Sequence, residues 1–175
     1  MKLWASTTIG LEPVAAAEVA RKIDVVPGSV AVHQGHISFE LPAGADGAAI
    51  AEQLCSLRTC EYLYAFLLST KLPLECSTVA ALEESGGAGS AVGLEAIRQA
   101  SATIAVCDVH AATQLCARMA TQLTGSTALR DKIATPEMAH LRFRAFGRRG
   151  GKHGFSSDDA KRMAAAGLAQ IKART

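Results

Sequence analysis

A chain of 175 residues, 49% hydrophobic but only 5% aromatic and with a formal net charge of +2, has material for one domain core or two small ones. No stretch approaches the roughly 20 apolar residues of a membrane-spanning helix, and Met1–Thr8 turns polar too soon for a secretory signal. The five cysteines (55, 60, 76, 107 and 116) are odd in number and read as small buried hydrophobes rather than a disulfide set, so the expectation is a soluble intracellular protein, cytoplasmic or nuclear.

Taken in order, Leu3–Ile9 reads as a first strand that Gly10 breaks. Pro13 then suits the first turn of a helix running to about Ile23, with Glu12 near its positive end. Ser29–His33 and His36–Leu41 flank Gln34-Gly35, and Ile37, Phe39 and Leu41 alternate with Ser38 and Glu40, the pattern of a hairpin. A helix follows from about Asp46 to Leu57. Tyr62–Thr70, apolar and aromatic-rich, predicts a buried strand ending before Pro73. The resulting order, β-α-β-β-α-β, is that of the ferredoxin-like split βαβ arrangement, so the fold class is α+β.

Residues 83–93, rich in Gly and Ser, read as a flexible linker. Beyond it Leu94–Ala100 looks helical, the β-branched run Thr103–Val109 predicts a strand, and Ala111–Leu123 is an amphipathic helix carrying Leu115, Met119 and Leu123. The expected organisation is an N-terminal domain over residues 1–75, a linker over 76–93 and a second α/β domain over 94–175.

The most distinctive stretch lies in this second region. His140–Phe146 alternates loosely, as a half-buried strand does. Gly147, Gly150, Gly151 and Gly154 then interrupt it around Arg148, Arg149, Lys152 and His153. Ser156 or Ser157 can cap a following helix whose first turn holds Asp158 and Asp159. From Arg142 onward there are nine Lys/Arg against those two Asp, a net of +7, whereas residues 1–141 carry a net of −5. Such asymmetry points to a polyanionic partner, and a cationic glycine loop ahead of a helix N-terminus suits phosphate. The candidate contacts are Arg144, Arg148, Arg149, Lys152 and His153, with Lys161 and Arg162 on the helix.

Other constellations are weaker. His33 and His36 sit across a turn with no third ligand nearby, and Cys55 and Cys60 are five apart, outside metal-knuckle spacing. Gly147–His153 lacks one residue of a nucleotide-binding P-loop and the hydroxyl that should end it. No glycine-rich dinucleotide fingerprint, nucleophile elbow or convergent carboxylate pair is visible, and His110 and His140 read as surface or satisfied polar residues. Catalytic residues, metal and cofactor are therefore not expected in this chain.

Four segments also carry a resemblance. Trp4–Glu18, with its strand, Gly10-Leu-Glu and a Glu near the helix end, resembles the start of the THUMP-containing RNA methyltransferases. Gly35-His-Ile-Ser-Phe39 is similar to that family's hairpin, and Leu57-Arg-Thr-Cys-Glu-Tyr-Leu-Tyr64 to its Leu-Arg-Ser-x-Glu-Arg-Leu-Phe segment. Phe143–Ser157 is similar to the THUMP strand-turn of the eukaryotic guanine-N2 methyltransferases, with Phe146 where a cysteine is common. The resemblance spans Trp4 to about Gly167, except the linker and residues 103–136. It implies a ferredoxin-like domain followed by a THUMP domain cut short at Thr175, holding structured RNA such as a tRNA acceptor end. It also implies that S-adenosylmethionine and the catalytic motif belong to a separate methyltransferase domain or a complex with an activator subunit. A different reading of the basic patch is an adaptor that meets an acidic partner protein.

Overall fold

The structure is a computed structural model and describes residues 1–72, 88–127 and 155–174. Its elements are β1 (Lys2–Ser6), α1 (Glu12–Lys22), β2 (Ala31–His33), β3 (His36–Glu40), α2 (Gly47–Cys55), β4 (Tyr62–Ala65), α3 (Ala88–Ala102), α4 (Val106–Thr124) and α5 (Ser157–Arg174). The strands form one sheet in the order β2-β3-β1-β4, every neighbouring pair antiparallel. The crossover through α1 therefore brackets β3, and the crossover through α2 brackets β1. The fold is α+β, as the element order predicts.

Local chemistry sets these boundaries. α1 opens with Glu12 and Pro13 and closes with Arg21 and Lys22, which suits the helix dipole at both ends. Asp46 caps α2 by accepting a 2.9 Å hydrogen bond from the Ala48 amide. Gly35 closes the β2–β3 hairpin at φ +74°, where a side chain would strain the backbone.

Alternation sends Leu3 and Ala5 of β1 to one face, in register with Phe39 and Ile37 of β3, and all four are at most 1% exposed. Ala15 and Val19 of α1 and Ile50, Ala51 and Leu54 of α2 cover that face. Leu115 of α4 joins the same core, with Met119 packed against it, and Cys55 donates a 3.7 Å hydrogen bond to the Met119 carbonyl.

The compact units do not follow the chain. One comprises Met1–Leu67 with Cys107–Pro136, the other Leu68–Val106 with Glu137–Thr175. In the second unit α3 packs on α5. The contact depends on Gly167, where a Cβ would stand 2.3 Å from the Arg98 carbonyl oxygen and 2.7 Å from the Ser101 Cβ. A mid-helix glycine costs about 1 kcal/mol of propensity, and here close backbone approach is the return. Ser156 starts α5 with a reciprocal cap: its hydroxyl accepts from the Asp159 amide at 3.1 Å while its own amide donates to the Asp159 carboxylate at 3.1 Å.

Several expectations need correction. Thr103–Val109 is not a strand: the chain leaves α3 at Ala102 and enters α4 at Val106. Only Thr103, Ile104 and Ala105 separate α3 from a long helical pattern whose first turn holds Asp108, so helix packing overrides a short β-branched run. Residues 88–93, expected as linker, begin α3, with Gly93 buried. β4 ends at Ala65 rather than near Thr70, and its Tyr62 and Tyr64 are exposed rather than buried. Cys107 and Cys116 are exposed and Cys55 and Cys60 half-buried, all four free. Cys76 and the strand expected over 140–146 lie outside the described residues.

Two stability measurements follow. Phe39→Ala should cost about 3–5 kcal/mol in denaturant melts, as emptying a fully buried aromatic site does; a loss under about 1 kcal/mol would contradict the register. Gly167→Ala, favourable by helix propensity, should instead destabilise by about 1–3 kcal/mol, because the added methyl meets backbone and not a flexible side chain.

Candidate nucleic-acid interface

Of the seven basic residues singled out above, Arg144, Arg148, Arg149, Lys152 and His153 lie outside the described residues. Lys161 and Arg162 stand in the first turns of α5. Each pairs with an acid three residues earlier on the same helix: Lys161 Nζ lies 2.6 Å from Asp158 Oδ1, and Arg162 pairs with Asp159. The Ser156 hydroxyl, and after it Arg162, hold the Asp159 carboxyl below its ordinary pKa range. Arg162 and Asp158 are 78% and 82% exposed. Exposed pairs of this kind contribute about 0–1 kcal/mol, so an arriving phosphate can exchange partners with either cation at little cost.

The N-terminal segments that carried the resemblance converge at one end of the sheet through two carboxylates of α1. Glu12, 7% exposed, accepts from the Gly10 amide at 2.8 Å and the Gly35 amide at 2.7 Å, joining the β1–α1 turn to the β2–β3 turn. The Gly35 amide is the main reason its carboxyl sits below the ordinary range.

Glu18, 8% exposed, accepts from the amides of Arg58 and Thr59 at 3.1 and 3.0 Å and from the Thr59 hydroxyl at 2.6 Å. Lys22 Nζ lies 2.6 Å from its other oxygen and also donates to the Ser56 carbonyl. Burial by itself pushes Glu18 up, but Lys22, Thr59 and Arg58 together outweigh it and hold the group down to about 2. Nearby, Thr7 donates to the Thr59 carbonyl and Thr8 to the Glu61 carboxylate. Sequence reading used Glu12 for the helix dipole and Glu18 as part of a resemblance. Both act as acceptors for part-buried loop amides, which spacing alone does not reveal.

Sequence reading also missed the sheet face opposite α1 and α2. Lys2, Trp4 and Ser6, His36, Ser38 and Glu40, and Tyr62 and Tyr64 share it by register. The Trp4 ring lies 4.2 Å from His36 and 5.8 Å from Phe66, and His33 stacks on His36 at 4.8 Å. Among the described residues no three His, Cys, Asp or Glu gather as metal ligands. On the core side a cavity of about 370 Å³ opens between the 41–47 loop and α4, with Met1, Leu41, Gly44 and Arg118 in its wall. No helix among the described residues is long and apolar enough to cross a membrane.

The chain matches no protein-family model, no curated protein and no solved structure.

The depressed Glu18 predicts a pH dependence with a definite sign. A carboxylate held below its ordinary value contributes fully above about pH 4.5, and the contribution is lost as pH falls toward about 2. Its size is at most about 3 kcal/mol, and less once solvent screening is counted. Glu18→Gln should lose about 2–3 kcal/mol at neutral pH and show a flatter stability curve across that acid window. Parallel curves for the two proteins in urea melts would assign the acid sensitivity to other groups.

Proposed function

We propose that this chain is an RNA-binding module, the non-catalytic N-terminal part of a THUMP-containing RNA guanine-N2 methyltransferase. In this reading residues 1–67 form a ferredoxin-like domain and the basic C-terminal region belongs to a THUMP domain. The module anchors structured RNA, such as a tRNA acceptor end, so that a separate methyltransferase domain, with or without an activator subunit, reaches its base. The work is done in the cytoplasm or nucleus.

The observation that carries the proposal is the concentration of nine Lys/Arg against two Asp from Arg142 to Thr175 in a chain otherwise net negative. A segment of that sign supplies a local field for a polyanion, while the acidic remainder discourages indiscriminate contact. The four resemblance segments, in order, support the choice of family. The sheet order β2-β3-β1-β4 is the one a split βαβ domain requires, which supports the first domain of the reading. Contacts from Arg144, Arg148, Arg149, Lys152, His153, Lys161 and Arg162 to phosphate position an RNA without reading its sequence. S-adenosylmethionine belongs, on this proposal, to the separate domain.

Replacing Arg148, Arg149 and Lys152 together with Ala should weaken binding of a tRNA minihelix in fluorescence anisotropy. The slope of log affinity against log salt should shrink by about 0.7–0.9 per lost phosphate contact. An unchanged slope would remove the loop from the interface. Capture of an acidic protein that survives nuclease, with no minihelix binding, would replace the RNA reading by the adaptor reading.

A further inference from the structure

The face of the four-stranded sheet opposite α1 and α2 has a composition that its core face lacks. The core face is built from Leu3, Ala5, Ile37 and Phe39 with Leu63 and Ala65 beside them. The chain has one Trp and two Tyr, and all three lie on the opposite face: Trp4 on β1 and Tyr62 and Tyr64 on β4. They are 37%, 64% and 54% exposed. Trp4 and Tyr64 are register partners on adjacent strands, so their side chains emerge side by side, about 4.8 Å apart at the backbone. Tyr62 lies 6.4 Å from Tyr64 by ring centroid, and His36 and His33 continue the row on the other side of Trp4. Flat rings thus cross all four strands.

We propose that this face is a second RNA contact, which takes unpaired bases by stacking on Trp4 and Tyr64, with Tyr62 and His36 flanking them. The choice of RNA as the nucleic acid rests on the function proposed above; the stacking geometry does not. Every base has a π-face, and a four-stranded sheet that presents rings can splay out and stack single-stranded nucleotides; here Trp4 stands on the central strand β1 and Tyr62 and Tyr64 on the edge strand β4 beside it.

Charge agrees with this occupant. Residues 1–67 hold seven Asp/Glu against four Lys/Arg, but only Glu40 shares the open face by register, and Lys2 is its cross-strand partner. Glu12 and Glu18 are turned to loop amides on the helix side. The Lys2 ammonium sits 5.2 Å over the Phe66 ring. A phosphate backbone crossing this face therefore meets an ammonium and two imidazoles but only one carboxylate. The register positions of this face include no Leu, Ile, Val or Met, the aliphatic side chains that a protein docking core would supply alongside rings.

The single tryptophan makes the test direct. Titrating the full chain with a short unstructured oligouridylate should quench Trp4 fluorescence. Tyr64→Ala should weaken that titration about tenfold or more. Trp4→Phe, followed by anisotropy of a labelled oligouridylate, should keep most of the affinity, whereas Trp4→Leu should lose it. Neither Trp4→Leu nor Tyr64→Ala should alter the salt slope of minihelix binding, which the Arg148, Arg149 and Lys152 substitutions should alter. Absence of quenching while the minihelix still binds would overturn this proposal and leave the function above standing. Quenching with an unchanged salt slope in the loop variant would do the reverse. Loss of a dimer on Trp4→Leu in sedimentation, with oligouridylate affinity intact, would make the face a contact between copies and refute stacking.

Discussion

One carboxylate sets the geometry on which the first unit depends. β4 must reach the sheet beside β1 after a short loop from α2, and that loop brings the amides of Arg58 and Thr59 into a partly buried place against α1. Buried amides without acceptors are costly, and no strand partner is available to them there. Glu18 supplies the acceptor from the far end of α1 and is itself kept ionised by Lys22. With Glu12 doing the same for Gly10 and Gly35, a single helix anchors three loops. The placement of Tyr62 and Tyr64 next to Trp4 follows from where that anchor starts β4.

This explains why the chain's acidity is a poor guide to its surface. A net charge counts Glu12 and Glu18 as it counts Glu52, although the first two are spent inside the fold. Removing them from the surface ledger leaves the first unit far less negative than its composition suggests. The contrast with the basic region from Arg142 onward then reflects both a surplus of cations there and an internal use of anions here.

Much of the first unit was legible in the sequence, because its signals are local. Gly35 marks a hairpin, Asp46 marks a helix start, and the alternation of Ile37 and Phe39 with Ser38 marks a half-buried strand. What failed were inferences from residue type without a partner in view. Thr103 and Ile104 favour a strand only if another strand pairs with them, and Gly89 and Gly93 suggest a linker although both lie within α3. Tyr62 and Tyr64 suggested burial because aromatics usually supply core; alternation against Leu63 and Ala65 was the better guide and points them outward. The basic candidates were visible from composition, but whether seven cations share one surface is a matter of tertiary placement that spacing does not encode.

Charge and stacking would divide the labour of RNA binding in a physically useful way. Phosphate contacts give affinity that falls steeply with salt and ignores whether bases are paired. Ring stacking is nearly independent of salt and requires bases that are free. A protein with only the first binds any duplex, and one with only the second holds single strands loosely. A basic region together with a sheet of exposed rings would favour an RNA that offers both, a structured body with an unpaired end. That preference needs no hydrogen bond to any base edge, and the sheet can provide its part only because both crossover helices pack on the other side.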